Sequence, residues 1–549
     1  MRPRPRSRGD RSGGSSTTAG GSSDDADDLE RNAATVDTPL LGGGSSSSGD
    51  GRVVPDDPAA LYRQNVVILC FASVLLIELG ANIIAPPLNA ILERNICREY
   101  HPQVARDALA DDPLCKYPDV QGRLAMIRGW GGTFDCIPGI LGAVPYGILS
   151  DTWGRRPVLV LSLLGITLSI AYCVVVLWFA DIFPVWTVWF SSLFLFIGGS
   201  PAVAQAMLYT FLSDVVPLAA HATVFFQVMS VDLLGQTLAG PVAGMLMRKS
   251  DWLPLMVGLG LLAVGTLTGL VFPETLELKR LKHALQAAES SAAESEDDGA
   301  LADAETIDAA REVDALDGDD QKGWTWRKLL ATWKKNLGEV WEFVLGNKRV
   351  TFLMVSLVFT IMGRLVNELL LQYATKRYDW SWDKASIFLT VRTSANMVTL
   401  LLVLPAASWA CLHYLGMSAV SKDLWLARFS SLIQVTGAVL VAFAYDSSFL
   451  FFALVIFAAG GGLQPLLRSL AIALVEEHHV GILNSLVGFM EMVGMMISGP
   501  LLAQSLRKGL EMGGAWIGLP FLCAGLMFTV SAVIVWSFRV PRRRRRQDA

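Results

Sequence analysis

Gly147-Ile-Leu-Ser-Asp151-Thr-Trp-Gly154-Arg155-Arg156-Pro-Val158 is a short polar link between two apolar stretches, each long enough to cross a bilayer. A helix needs about 20 predominantly apolar residues to span the hydrocarbon. The two glycines allow a tight reversal, and the paired arginines cannot enter the hydrocarbon cheaply. The link therefore lies at a membrane face, and the stretches on either side of it are membrane helices.

Composition points the same way. The 549 residues are 52% hydrophobic and 17% charged, with a mean hydropathy of +0.44. That is too apolar for ordinary soluble domains. Working outward from the link gives twelve spanning segments near 66–88, 126–149, 157–179, 185–211, 223–247, 253–272, 350–371, 385–405, 426–445, 448–474, 482–506 and 515–537. Trp409 to Met417 could extend the eighth.

The expected fold is thus an all-α polytopic membrane protein. Residues 1–65 form a tail rich in Ser, Gly and Asp, with no apolar core of a signal peptide and the composition of a disordered segment. Residues 66–272 form an N-terminal six-helix bundle, 273–349 a linker, 350–537 a C-terminal six-helix bundle and 538–549 a basic tail. Within the linker, 284–320 holds thirteen Asp or Glu against the single Arg311, which reads as a disordered, solvated connection. With an even number of spans, Arg155–Arg156, Lys279, Arg280 and Lys282, Lys334–Lys335, Lys348–Arg349 and Arg542 to Arg546 all fall on one side. The excess of Lys and Arg in short loops marks that side as cytoplasmic, and both termini with it.

Cys97 and Cys115 share the long first outer loop, near 89–124, and are candidates for a disulfide if that loop faces an oxidising compartment. Cys70, Cys136, Cys173, Cys411 and Cys523 lie in or beside apolar segments and read as small buried hydrophobes. No cysteine has metal-site spacing, so no metal is expected. There is no G-x-x-x-x-G-K-[ST] loop to bind ATP. Neither a cofactor nor a nucleic-acid partner is expected.

An internal repeat supplies the architecture. Laying segment five on segment eleven puts Gly240-Pro241 on Gly499-Pro500, Gly235 on Gly494 and Asp232 on Glu491. Segments four and ten match at Gly198-Gly199 and Gly460-Gly461, and Asp214 falls on Glu476; Pro145 and Pro405 match in segments two and eight. The offsets are all about 260 residues, as two parallel six-helix repeats require, with a substrate site between them near the midplane.

The spacing G-x-x-x-D-x-x-G-R-R, carried by Gly147, Asp151, Gly154, Arg155 and Arg156, resembles the loop 2–3 signature of the major facilitator superfamily. The resemblance covers the twelve segments, about four fifths of the chain. Ile137-Pro138-Gly139, the Pro145-Tyr-Gly lead into the signature, the two-cysteine outer loop and the acidic mid-loop look most like fungal members. Those members are distantly similar to tetracycline exporters and to the proton-coupled folate and haem-carrier group. The resemblance implies alternating access driven by a gradient, with Asp151 and Arg155 acting at a cytoplasmic gate against the start of segment eleven near Gly481. Gly240-Pro241-Val-Ala-Gly244 is similar to the superfamily's antiporter motif, a hinge run, although Met245 replaces its last glycine. Two further departures stand out. Phe194 occupies the place of the segment-four arginine seen in many proton-coupled exporters, and Thr152 that of a basic residue often seen in the gate loop.

Ionisable residues inside the spans are the strongest site candidates, because burying a charge in hydrocarbon costs at least ~2.5 kcal/mol unless it meets a partner or a wet cavity. The proton-coupling candidates are Glu78, Asp135, Asp232 and its repeat mate Glu491. Asn82, Gln205, Tyr209, Gln227, Gln236, Arg364, Glu368 and Gln464 are candidates to line a substrate cavity. Arg364 and Glu368, four residues apart, can alternatively neutralise each other. Arg392 and Arg468 read as reaching headgroups or water.

The chain is expected to be a secondary transporter, not an enzyme, that exports a small organic compound such as a drug, toxin or secondary metabolite against protons. It would function as a monomer in the plasma membrane. The alternatives are a proton-coupled importer of an organic anion or nutrient, with Arg364 as the anion contact, and a non-transporting membrane sensor. Asp37-x-x-Leu40-Leu41 has the form of a vacuolar sorting signal, which leaves the vacuolar membrane as a second location.

Overall fold

The computed structural model describes residues 58–101, 113–216, 221–275, 348–475 and 480–539. The expected tail as far as residue 57, most of the linker, Glu476 and the closing arginine run lie outside these residues, as do the side chains around Gly481. The described residues are almost wholly helical and contain no strand. Ten helices are long and apolar enough to cross a membrane, and a pair bent by 45° ahead of Pro145 makes an eleventh. His221–Met247, 27 residues long and interrupted by Asp232 and two glutamines, completes the twelve.

We number these spans α1 Pro58–Tyr100, α2 Pro118–Thr152, α3 Arg155–Trp178, α4 Val185–Val215, α5 His221–Met247 and α6 Trp252–Val271 in the first half. In the second half they are α7 Val350–Arg377, α8 Trp382–His413, α9 Ala419–Ala442, α10 Ser447–Ile472, α11 Val480–Met512 and α12 Gly514–Ser537.

The first and seventh spans differ from the sequence reading, and the eighth takes the longer of its two readings. Proline removes a helix hydrogen bond, and Pro86-Pro87 stands just before 88, the expected end of the first segment. Yet α1 starts at Pro58 and continues to Tyr100, because Ile91, Leu92, Ile96 and Cys97 beyond the prolines are buried in a core cluster. The first outer loop is correspondingly shorter than 89–124. The eighth span runs on to His413 through a π-turn at Thr399–Val403, which absorbs the hydrogen bond Pro405 cannot make. The seventh span is two helices, one ending at Arg364 and the next starting at Val366.

Both predicted glycine pairs break their helices. The fourth span is a 3-10 segment, Val185–Ile197, followed by an α-helix from Ser200, with Gly199 at φ +79° between them. The carbonyls freed there accept from the Tyr146 and Ser162 hydroxyls, at 2.6 Å to Phe196 and 2.6 Å to Gly198. The tenth span turns through a short 3-10 segment, Gly460–Gly462.

Core packing has two characters along the bundle. At the end holding Cys97 and Cys115, residues of both halves share one cluster: Ile91, Leu92 and Cys97 pack with Leu371, Trp380, Trp382 and Ala385. At the opposite end, where the Gly147–Arg156 link lies, each half has its own cluster, one around Phe211, Leu212 and Phe272 and one around Leu353, Leu467 and Val535. The halves are thus joined at the disulfide end.

Candidate functional site

The signature link forms a knot of charges. Gly154 sits at φ +109°, a conformation open to glycine, and its missing side chain leaves room for the Glu274 carboxylate just after α6. That carboxylate accepts the backbone N–H groups of Arg155 and Arg156 at 3.0 and 3.2 Å, at the positive N-terminus of α3. The buried Arg155 guanidinium meets Asp214 of α4 at 2.7 Å and Asp151 at 3.5 Å, and Thr275 donates to Asp214 at 3.0 Å. Among the described residues, the hydrogen-bond and ion-pair partners of Arg155 and Arg156 lie in the first half; the expected contact near Gly481 falls outside the described side chains. Thr152 caps its own helix, donating to Ile148 and Leu149.

Asp151 and Arg155 differ in burial, and the difference predicts different phenotypes. Asp151 is 59% exposed and Arg155 4%. An exposed ion pair is worth about 0–1 kcal/mol, whereas removing one partner of a buried pair costs about 3–5 kcal/mol. Asp151→Asn is therefore expected to leave the thermal midpoint close to wild type, and any slowing of turnover by it is a gating effect. Arg155→Ala is expected to lower the midpoint sharply. Size-exclusion chromatography of heated detergent extracts reads both; equal midpoints for the two variants would contradict the assignment.

The hinge run lies where the halves cross. A Cβ on Gly240 would stand 2.5 Å from Thr390 Oγ1 and 2.9 Å from the Ser386 carbonyl of α8, and one on Gly244 2.7 Å from the Asp383 carbonyl. Ser386 donates to the Gly240 carbonyl at 2.9 Å. The repeat mate Gly499 faces Gly129 of α2 in the same way: a Cβ there would stand 2.6 Å from the Gly129 carbonyl. Small residues thus let α5 approach α8 and α11 approach α2.

Between these contacts, most of the candidates gather into two clusters. In the first, Glu78 of α1 and Asp232 of α5 face each other closely enough for their carboxyls to interact. Gly235 makes room, since a Cβ there would lie 3.0 Å from that of Glu78. Asn82 donates to Glu78 at 3.2 Å and Gln236 to Asp232 at 2.9 Å. From the second half, Arg364 at the break in α7 is attracted first by Glu491 of α11 and then by Asp232 across the gap. Gln464 holds Glu491 at 2.7 Å. Tyr209 of α4 lies in the field of Asp232, Arg468 and Glu78, in that order.

The second cluster lines a cavity of about 430 Å³ bounded by α1, α2, α3, α4, α7 and α11. Asp135 accepts from Ser192 at 2.6 Å. Arg128, two turns before it on α2, also lines the cavity, as does Glu368 from α7. Ser169, Ser191 and Ser200 add hydroxyls, and most of the remaining wall is apolar, with Leu88, Ile127, Leu369 and Met492 among it.

Some candidates fall differently from their sequence reading. Arg364 and Glu368 do not pair: the helix break separates them, Arg364 is drawn to Glu491 and Asp232, and Glu368 acts on Arg392 instead. Arg392 lies in the interior, in the fields of Arg364 and Glu368, rather than reaching headgroups or water, whereas Arg468 is exposed as expected. Asp135 and Glu78 belong to separate clusters. Gln205 and Gln227 make no hydrogen bond among the described residues. Sequence reading missed Arg128, whose only signal is its position two turns from Asp135 on one helix face, and Glu274, which carries no motif. Cys97 and Cys115 are joined in a disulfide.

The family model of the Major Facilitator Superfamily matches residues 128–499. "MFS efflux pump atnC" of Emericella nidulans is 30% identical over 517 residues, covering 90% of this chain and 93% of its own length. "Efflux pump ustT" of Aspergillus flavus is 28% identical, covering 86% of this chain and 87% of its own. Among solved structures, a D-xylose–proton symporter superposes with a TM-score of 0.57 at 12% identity, covering 87% of this chain and 98% of the other, which is a likeness of fold.

Proposed function

The chain belongs to the Major Facilitator Superfamily, and from that premise we propose that it exports a small organic compound in exchange for protons by alternating access. The observation that carries the proton coupling is the facing of Glu78 and Asp232 in one half against Arg364 and Glu491 in the other. Two carboxyls this close repel when both are charged, and one proton between them removes the repulsion. Arg364 and Glu491 lie in the same half, so their attraction survives any rocking of the halves. The attraction between Asp232 and Arg364 crosses the halves and depends on the charge of Asp232. A proton arriving there cancels the cross-half attraction and frees the halves to rock; its departure restores it. Protonation is thereby tied to conformation, as exchange requires.

The efflux names of two fungal relatives support the outward direction. The cavity holding Asp135, Arg128 and Glu368 suits an amphipathic solute: apolar walls take its bulk and the charges orient it. The end with Arg155 and Arg156 faces the cytoplasm on the positive-inside rule, and the disulfide end faces outward, where an oxidising exterior sustains the bond. The plasma membrane is the expected location and the monomer the working unit.

The test is efflux of a metabolite panel from cells lacking or overexpressing the protein, at two external pH values. Overexpression is expected to lower retention of at least one compound, more strongly at acid external pH. A compound accumulated instead, and more at acid pH, would establish the importer. Orientation has its own check: tags at Ser46 and Ala549 are expected to stay protected from impermeant reagents in intact cells. External labelling of either would reverse the assignment.

A further inference from the structure

Glu93, six residues beyond Pro87 on α1, takes no part in either cluster, yet it is 1% exposed and holds donors from three elements. Lys116, on the 3-10 turn that carries Cys115, places its ammonium 2.9 and 3.0 Å from the two carboxylate oxygens. Gln121, in the first turn of α2, donates its amide to the same carboxylate and to the Cys115 carbonyl at 3.0 Å. The third donor is the indole N–H of Trp382, the first residue of α8 and part of the other half. Beside it, Gln372 of α7 donates to the backbone and side-chain oxygens of Gln121 at 2.7 and 2.9 Å. The Lys116 ammonium stands 5.3 Å from the centroid of the Trp382 ring. Trp382 is 2% exposed.

Resting on the transport reading, we infer that Glu93 is the latch of the gate at the disulfide end, and that Trp382 and Gln372 are the parts of the second half it holds. The bonds sort by what an opening would break. Trp382 to Glu93 and Gln372 to Gln121 cross between the halves; Lys116 and Gln121 to Glu93 do not. Opening that end to release substrate therefore breaks these hydrogen bonds and the half-exposed Arg248–Asp383 pair at 3.6 Å, but not the buried pair of Glu93 with Lys116. Glu93 keeps its countercharge in both states, so no bare buried charge is left behind. The disulfide positions that countercharge: Cys97 lies one turn beyond Glu93 on α1 and Cys115 directly precedes Lys116.

Cys136, which lines the central cavity, reports on both gates. With Cys70, Cys173, Cys411 and Cys523 replaced by alanine and the disulfide kept, an impermeant thiol reagent is applied from either face of oriented vesicles. Labelling of Cys136 from the disulfide side is expected to be slow. Trp382→Phe, which keeps the ring but removes the donor, is expected to speed it by roughly ten- to a hundredfold, what a hydrogen bond to a charged group is worth. Labelling from the opposite side should slow correspondingly. Glu93→Gln, which leaves a neutral amide oxygen and so weakens the indole bond without removing it, is expected to act in the same direction by less, and the two together should fall short of the product of their separate effects, because both act on one contact.

An unchanged rate in folded Trp382→Phe protein would overturn the latch. So would faster labelling from both faces, which marks a loosened fold, or effects of the two substitutions that simply multiply. Labelling needs neither substrate nor pH gradient. A failed latch beside intact pH-driven efflux leaves the transport reading standing, and a working latch without proton-driven efflux removes only the coupling.

Discussion

Asp232→Asn is expected to reduce transport driven by a pH gradient to the level of vesicles without protein, while exchange of substrate across vesicles at equal pH continues. The asparagine retains an acceptor for Gln236, which donates to Asp232 at 2.9 Å, so the local fold is preserved. What it loses is titration, and with it the switchable attraction across the halves to Arg364. Glu78→Gln is expected to behave alike, and the two together should cost no more than either alone, as groups acting as a unit do. Asp135→Asn supplies the contrast. Its carboxylate lines the cavity with Arg128 and Glu368, so its loss should raise KM for the exported compound and leave the gradient dependence in place. Rates per folded molecule in proteoliposomes separate these outcomes; normal gradient-driven transport by both Asp232→Asn and Glu78→Gln would remove the pair from the coupling mechanism.

The second large effect is steric. Gly499→Val is expected to prevent assembly of a stable bundle, because a Cβ at that position would stand 2.6 Å from the Gly129 carbonyl. The obstacle is backbone, so no rotamer change relieves it, and α11 must move off α2. Overpacking of a core costs about 1–3 kcal/mol even where side chains can adjust. By contrast, Gly132→Val on α2, the helix that Gly499 faces, is expected to be tolerated, since nothing lies within 4 Å of a Cβ there. Fluorescence-detected size exclusion should show aggregate for the first and a single peak for the second. A monodisperse Gly499→Val protein with wild-type stability would show that the close crossing is dispensable.

The features legible in the sequence are those whose cause is local. The Gly147–Arg156 link announces itself by composition, and Gly240 and Gly499 by a repeated offset that the fold uses in the same way, each glycine pressed against a helix of the other half. Gly198-Gly199 and Gly460-Gly461 were readable as repeat mates and both prove to be helix breaks. Where local rules and packing disagree, packing prevails: Pro86-Pro87 does not end α1, because the next three turns are buried.

The candidates were legible as ionisable and polar residues inside the spans, but their arrangement was not. Counting along helices places Glu78 and Asp135 at similar depth, yet only Glu78 meets Asp232, because helix rotation about its axis is set by neighbours. The spacing of Arg364 and Glu368 invites an intrahelical pair that the break at Leu365 undoes. Glu93 was hidden for a different reason. Its partners, Lys116, Gln121 and Trp382, are distant in sequence and none belongs to a motif.

The coupling of proton movement to substrate movement through Glu78 and Asp232 is tested most directly by proton flux itself. Right-side-out vesicles loaded with an exported compound, and clamped at equal pH inside and out, are diluted into substrate-free buffer while a trapped dye reads luminal pH. Substrate leaving down its gradient should draw protons inward, so the wild-type lumen is predicted to acidify, and Asp232→Asn and Glu78→Gln vesicles to show no pH change. Acidification of equal rate and extent in both variants, per molecule of folded protein, would contradict the account.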